Sequence, residues 1–94
     1  MTASREVVFR DRYGLHPRAA MRISQAAARF GARITLEDLT AGGAPVDGRS
    51  MLTLVGAAIR AGDRVRVAAD GDDAEAAVEA VATLLESGVC HPGG

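Results

Sequence analysis

Arg64-Val65-Arg66-Val67-Ala68-Ala69 alternates polar or small side chains with apolar ones, and Asp70-Gly71 ends the alternation. A strand sends successive side chains to opposite faces, so this pattern predicts a strand with one buried face. Asp72, Asp73 and Glu75 then supply acids to the first turn of a helix, where they complement its dipole. Asp72 and Glu75 have the spacing of a capping box. Ala74, Val78, Val81 and Leu85 form one apolar face, and Gly88 closes the helix. A half-buried strand followed by an amphipathic helix predicts a sheet with helices packed on one side.

The same alternation of elements extends towards the N-terminus. Ser50 is a good N-cap, which makes Met51-Leu52-Thr53-Leu54-Val55 a short helix rather than a strand; Ala61-Gly62-Asp63 is the turn after it. Ala44 to Asp47 reads as a brief strand, and Pro45 puts it at a sheet edge. Arg33 to Glu37 alternates as a half-buried strand does. Ala20, Ile23, Ala27 and Phe30 recur at helical spacing, predicting a helix from Pro17 to Phe30 with Gly31 as its stop. Glu6 to Arg10 reads as the first strand. The order is strand, helix, strand, strand, short helix, strand, helix, which implies a two-layer α+β sandwich.

At 94 residues the chain has room for one small domain, and 48% apolar residues suffice to give it a core. We take residues 1–88 as the domain and 89–94 as a C-terminal tail. A net charge of −1, with acids and arginines interspersed, argues against a general nucleic-acid binder. No run is long or apolar enough to span a membrane. The N-terminus has no signal-peptide core, so a cytoplasmic protein is expected. Cys90 is the only cysteine, which excludes an internal disulfide. Cys90 and His91 together fall short of the ligands a zinc site needs, so neither a metal nor another cofactor is expected.

The chemistry concentrates at Gly14-Leu15-His16-Pro17-Arg18-Ala19-Ala20. Proline is favoured at the first helical position, which puts His16 at the N-cap. Histidine is a poor ordinary cap. Its imidazole would sit beside free amides at the positive end of the helix dipole, a place suited to phosphate. Arg18 adds a permanent cation in the same turn. No second acid–base group is evident near His16 in sequence, and no glycine loop for a nucleotide is present. Both absences argue against a free-standing enzyme.

These residues resemble the active-site pattern Gly-Leu-His-Ala-Arg-Pro-Ala of HPr, the histidine-containing phosphocarrier family of the bacterial phosphotransferase system. Two further motifs are similar at the family's spacing: Arg49-Ser50-Met51-Leu52 through Gly62-Asp63, and Val67 through Asp73. The resemblance implies an open-faced sandwich, a four-stranded antiparallel sheet with three helices on one face. It implies that His16 takes a phosphoryl group on Nδ1 from enzyme I, originally from phosphoenolpyruvate, and passes it to an enzyme IIA in sugar uptake. Arg18 would neutralise the phosphoryl charge, and Met51, Leu52 and Val55 would form the docking patch. We expect Met51 and Leu52 to be exposed and Leu54 to be buried.

By the same resemblance Ser50 is a regulatory phosphoserine, the target of an ATP-dependent kinase. The alternatives are a carrier in a regulatory phosphorelay and a regulator that acts through Ser50 without catalysis. A monomer is expected. The chain departs from the family in having Pro17 and Ala19 where the family has alanine and proline. Pro17 removes an N–H next to the histidine, and Ala19 restores one two residues on.

Overall fold

The computed structural model describes residues 1–88. Its elements are β1 (Thr2–Val8), α1 (Pro17–Ala27), β2 (Arg33–Asp38), β3 (Val46–Asp47), α2 (Met51–Gly56), β4 (Arg64–Asp70) and α3 (Ala74–Ser87). The strands form one antiparallel sheet in the order β1-β4-β2-β3. The open-faced sandwich is the observed architecture. The expected tail, with Cys90 and His91, lies outside the described residues.

The alternation in β4 sets the layers. Val65, Val67 and Ala69 are buried beneath the helices, together with Ile34 and Leu36 of β2. From above, α1 contributes Ala19, Ala20, Ile23 and Ala27, and α3 contributes Ala74, Ala77, Val78, Val81, Ala82 and Leu85. Small side chains let these helices lie close to the sheet. The other face is open and carries charge: Glu6 of β1 meets Arg64 and Arg66 of β4, and Arg66 reaches Glu37 of β2 at 3.2 Å.

Several boundaries differ from the sequence reading. The first strand runs from Thr2 to Val8 rather than from Glu6 to Arg10. Its ladder with β4 starts at Thr2↔Asp70 and ends at Val8↔Arg64. Phe9 and Arg10 then leave the ladder, their amides donating to the Asp63 and Leu85 carbonyls. The third strand shrinks to Val46–Asp47, at the sheet edge as expected. Helix α1 stops at Ala27, not Phe30, in a tightened turn where Arg29 and Phe30 donate to the carbonyls of Ala26 and Ala27. Gly31 lies beyond the C-cap Ala28 and is not left-handed, so it is not the helix stop; the Arg49 guanidinium donates to the Phe30 carbonyl at 2.6 Å. The expected Asp72–Glu75 capping box is absent. Asp73 holds the N-cap of α3 in a left-handed conformation, with no side-chain cap bond.

One polar pair lies inside the fold. Asp38, at the end of β2, and Asp63, before β4, are both buried. Asp38 Oδ1 accepts the amides of Thr40 and Ala41, while Asp63 Oδ2 accepts the amide of Arg60. Asp38 Oδ2 is buried with no donor among the described residues, and when protonated the Asp38 carboxyl hydrogen-bonds to that of Asp63. Burial pushes the Asp38 carboxyl up, and the hydrogen bond from Asp38 holds Asp63 down.

Candidate phosphoryl-accepting site

The loop between β1 and α1 carries the site. Asp11 is fully buried, and its Oδ1 accepts the Tyr13 amide at 3.0 Å, making a side-chain-closed turn. Gly14 donates to the Asp11 carbonyl and adopts φ +76. A Cβ at Gly14 would also sit 3.3 Å from the Ile59 carbonyl oxygen, so the position needs glycine twice over. Leu15 is buried, and its amide donates to that same Ile59 carbonyl at 2.9 Å. The chain is thereby pinned on the residue just before His16.

His16 is the N-cap of α1, in extended conformation (φ −87, ψ 175), with Pro17 at the first helical position. Its carbonyl accepts the Ala20 amide, the first intrahelical bond. Helix geometry leaves the amides of Arg18 and Ala19 without an intrahelical acceptor. The expectation that the ring faces these amides does not hold, since His16 makes no side-chain cap bond. Instead, Nε2 lies 3.8 Å from Asp11 Oδ2, and the side chain is 30% exposed. The ring also meets Tyr13 edge-on, with centroids 6.4 Å apart, and the Arg12 guanidinium lies 5.3 Å from the centre of the Tyr13 ring. Arg18 is exposed on the first turn of α1.

The second cluster lies on α2. Leu54 is buried, whereas Met51, Leu52 and Val55 are exposed, Leu52 to 84%. Met21 of α1 and Tyr13 are also large and exposed. Helices α1 and α2 pack together. The start of α1 is tied to Ile59, just past the end of α2, and the end of α1 is tied to Arg49, just before its start. The two helices therefore run in opposite directions. His16 lies beyond the Val55 end of α2, and Ser50 is at the far end. Ser50 is the N-cap of α2, its Oγ accepting the Thr53 amide at 3.2 Å.

Residues 3–87 match the family described as the PTS HPr component phosphorylation site. The chain belongs to the HPr family. The phosphocarrier protein HPr of Streptomyces coelicolor is 37% identical over 76 residues, covering 81% of this chain and 80% of that one. An HPr structure from Bacillus anthracis superposes with a TM-score of 0.81 at 31% identity, over 89% of this chain and 96% of that one. One from Thermoanaerobacter tengcongensis reaches 0.84 at 27% identity, over 95% and 97%. The multiphosphoryl transfer protein of Salmonella typhimurium is 34% identical over 86 residues, which is 92% of this chain but only 23% of that protein. The family's fold thus accounts for the whole described sandwich.

Of the expected site residues, the fold brings His16 and Arg18 together at the start of α1 and leaves Ser50 apart from them at the start of α2. Sequence reading missed Asp11, and so was wrong that no second acid–base group stands near His16. Asp11 lies five residues upstream, and only the turn closed by its own carboxylate carries it back beside the ring. Its one sequence signal was an aspartate opening a short loop, which predicts such a turn but not what the second oxygen faces. Among the described residues no group of three or more acidic, histidine or cysteine side chains could hold a metal.

Proposed function

We propose that this chain is a phosphoryl carrier: His16 accepts the group from the phosphohistidine of an enzyme I charged by phosphoenolpyruvate and hands it to an enzyme IIA. The observation that carries the reading is a part-exposed imidazole at the start of α1 that does no capping, within a family match covering residues 3–87. An N-cap residue whose side chain makes no cap hydrogen bond leaves the amides of Arg18 and Ala19, which have no intrahelical acceptor, to an anion. Phosphoryl transfer needs positioning and charge stabilisation more than covalent machinery, so a small domain suffices. Arg18 neutralises the phosphoryl oxygens. Met51, Leu52 and Val55, with Met21 and Tyr13, form the docking face for the partners; exposed methionine and aromatic side chains suit interface centres.

Such a carrier works as a monomer in the cytoplasm, where phosphoenolpyruvate is available. No helix among the described residues is long and apolar enough to cross a membrane. Ser50 phosphorylation by a kinase would replace its cap bond with charge at the edge of the docking face and oppose docking.

The test is incubation with enzyme I and phosphoenolpyruvate, followed by intact mass before and after mild acid. One acid-labile phosphate, absent in His16→Ala, is expected. No phosphate on the wild-type chain, with enzyme I from the same organism and a working control carrier, would overturn the reading.

A further inference from the structure

We infer that Asp11 is a positioning residue for His16, favouring the tautomer whose lone pair is on Nδ1, the atom that takes the phosphoryl group. The inference deepens the carrier reading and rests on it. Asp11 has two oxygens in two settings. Oδ1 is occupied by the Tyr13 amide at 3.0 Å, which closes the loop. Oδ2 points the other way, to 3.8 Å from Nε2 of His16. The carboxylate is fully buried, while the ring is 30% exposed. Buried in this way, Oδ2 acts on the ring through little intervening solvent, and its charge is weakly screened. The loop backbone is held by Gly14 on the Asp11 carbonyl and by Leu15 on Ile59, and the side chain by the Tyr13 amide.

A neutral imidazole carries its proton on one nitrogen only. A carboxylate facing Nε2 favours the proton there, and the lone pair is then on Nδ1. The separation of 3.8 Å exceeds a hydrogen bond, as is usual for such pairs before the reacting complex forms and tightens them. In the transfer step the Nδ1 lone pair attacks phosphorus and forms the new N–P bond. The bond from phosphorus to the donor's ring nitrogen breaks, and that nitrogen keeps the electron pair. The Nε2 proton stays where it is, so the His16 ring becomes cationic as the bond forms. Asp11 faces that developing charge, which is the most effective place for a fixed anion. On transfer to the next partner the charge disappears again, and Asp11 returns to holding a neutral ring.

A purely structural role for Asp11, as closer of the turn, makes a different prediction from a positioning role. Asp11→Asn keeps Oδ1 for Tyr13 and presents an amide NH₂ to Nε2, which favours the opposite tautomer. Asp11→Ser keeps a side-chain acceptor for the turn and removes the carboxylate altogether. The measurement is a long-range ¹H–¹⁵N spectrum of the unphosphorylated full chain with labelled histidine. The His16 signals are told apart from those of His91 by their loss in His16→Ala. In the wild type Nε2 should carry the proton. In Asp11→Asn the ring should move to the Nδ1–H form, and in Asp11→Ser to a mixture. Phosphorylation by phospho-enzyme I should slow about ten- to a hundredfold in Asp11→Asn, the effect of one lost charge-assisted interaction.

A wild-type ring in the Nδ1–H form overturns the inference without any variant. So does an unchanged tautomer in Asp11→Asn or in Asp11→Ser, even if transfer slows, because slower transfer alone would then report on the loop. The spectrum needs no phosphoryl transfer, so its outcome is separate from that of the carrier assay.

Discussion

Helices α1 and α2 both start from an extended residue with a polar side chain, yet only one of those side chains caps its helix. Ser50 gives its Oγ to the Thr53 amide at 3.2 Å. His16 gives its ring to none of the α1 amides and lies instead beside a buried carboxylate. The difference separates the two tasks a helix start can have. A serine cap satisfies a donor that would otherwise be idle. A histidine that leaves the amides alone contributes little to the helix and keeps them for a ligand. The longer helix, anchored by five buried residues, can forgo a cap; the short one, with Leu54 alone buried, is the one that has it.

The contrast would be broken first by exchanging the roles. His16→Ala should abolish the acid-labile phosphate entirely, while stability in a urea titration stays within about 0.5 kcal/mol. A larger loss of stability would mean that the ring supports the helix after all, and the separation of tasks would collapse. Next in size is the docking face. Leu52→Glu should reduce phosphorylation by enzyme I about thirtyfold with no change in the unfolding midpoint, the effect of losing one interface anchor. Its buried neighbour is the control: Leu54→Ala should lose about 2–5 kcal/mol of stability. If Leu52→Glu unfolds the domain, or docks normally, the assignment of exposed α2 residues to partners is wrong.

The departure at Pro17 sharpens the same contrast. Proline suits the first helical position, yet it removes an amide beside His16. Pro17→Ala should restore a charge-assisted bond, and phospho-His16 should lose its phosphate about tenfold more slowly. Equal rates of loss would show that the amides of Arg18 and Ala19 already suffice. At the other helix, Ser50→Ala should lower stability by about 1 kcal/mol, measured by urea unfolding, and leave His16 phosphorylation unchanged. A fall in transfer rate there would tie the two helix starts together, against the antiparallel arrangement that keeps Ser50 at the far end of α2.

Much of this was legible in the chain because strong local patterns agreed with the fold. In β4 the alternation of Val65 and Val67 with arginine gave the buried face correctly. Ser50 decided between helix and strand for a short apolar run, and Pro45 marked the edge. The start of β1 was not legible. Thr2, Ala3 and Ser4 carry little hydrophobic signal, and Arg5 lies on the helix-covered side, where Glu79 and Glu86 of α3 neutralise it at 2.8 and 2.9 Å. The cap of α3 was misread because Asp73 takes a left-handed conformation, which an acidic run does not announce. His16 and Arg18 were found from a motif. Asp11 was not, because its meeting with His16 depends on a turn closed by its own carboxylate and on the anchoring of Leu15 to Ile59.

The smallest effect concerns the anchor beneath that loop. Asp63 accepts the amide of Arg60 on its side chain and that of Phe9 on its carbonyl, so it joins the end of β1 to the turn that holds Leu15. Its partner is Asp38, and the two carboxyls respond to pH with opposite signs. Asp63, held below its ordinary range chiefly by the hydrogen bond from Asp38, adds stability above its unfolded pKa and loses it as pH falls through the folded value. Asp38, raised chiefly by burial, adds stability below its unfolded pKa and loses it as pH rises through the folded value. Asp38→Asn removes only the second dependence. Its Oδ1 still accepts the amides of Thr40 and Ala41, and its NH₂ donates to Asp63 permanently, as the shared proton does in the wild type only while it remains bound. The variant should therefore gain stability relative to the wild type as pH rises from about 4, the ordinary carboxylate range, towards neutrality. Urea midpoints of both proteins across that range would read the gain. Parallel curves would mean that the pair does not share a proton, and that Asp38 Oδ2 has a solvent partner instead.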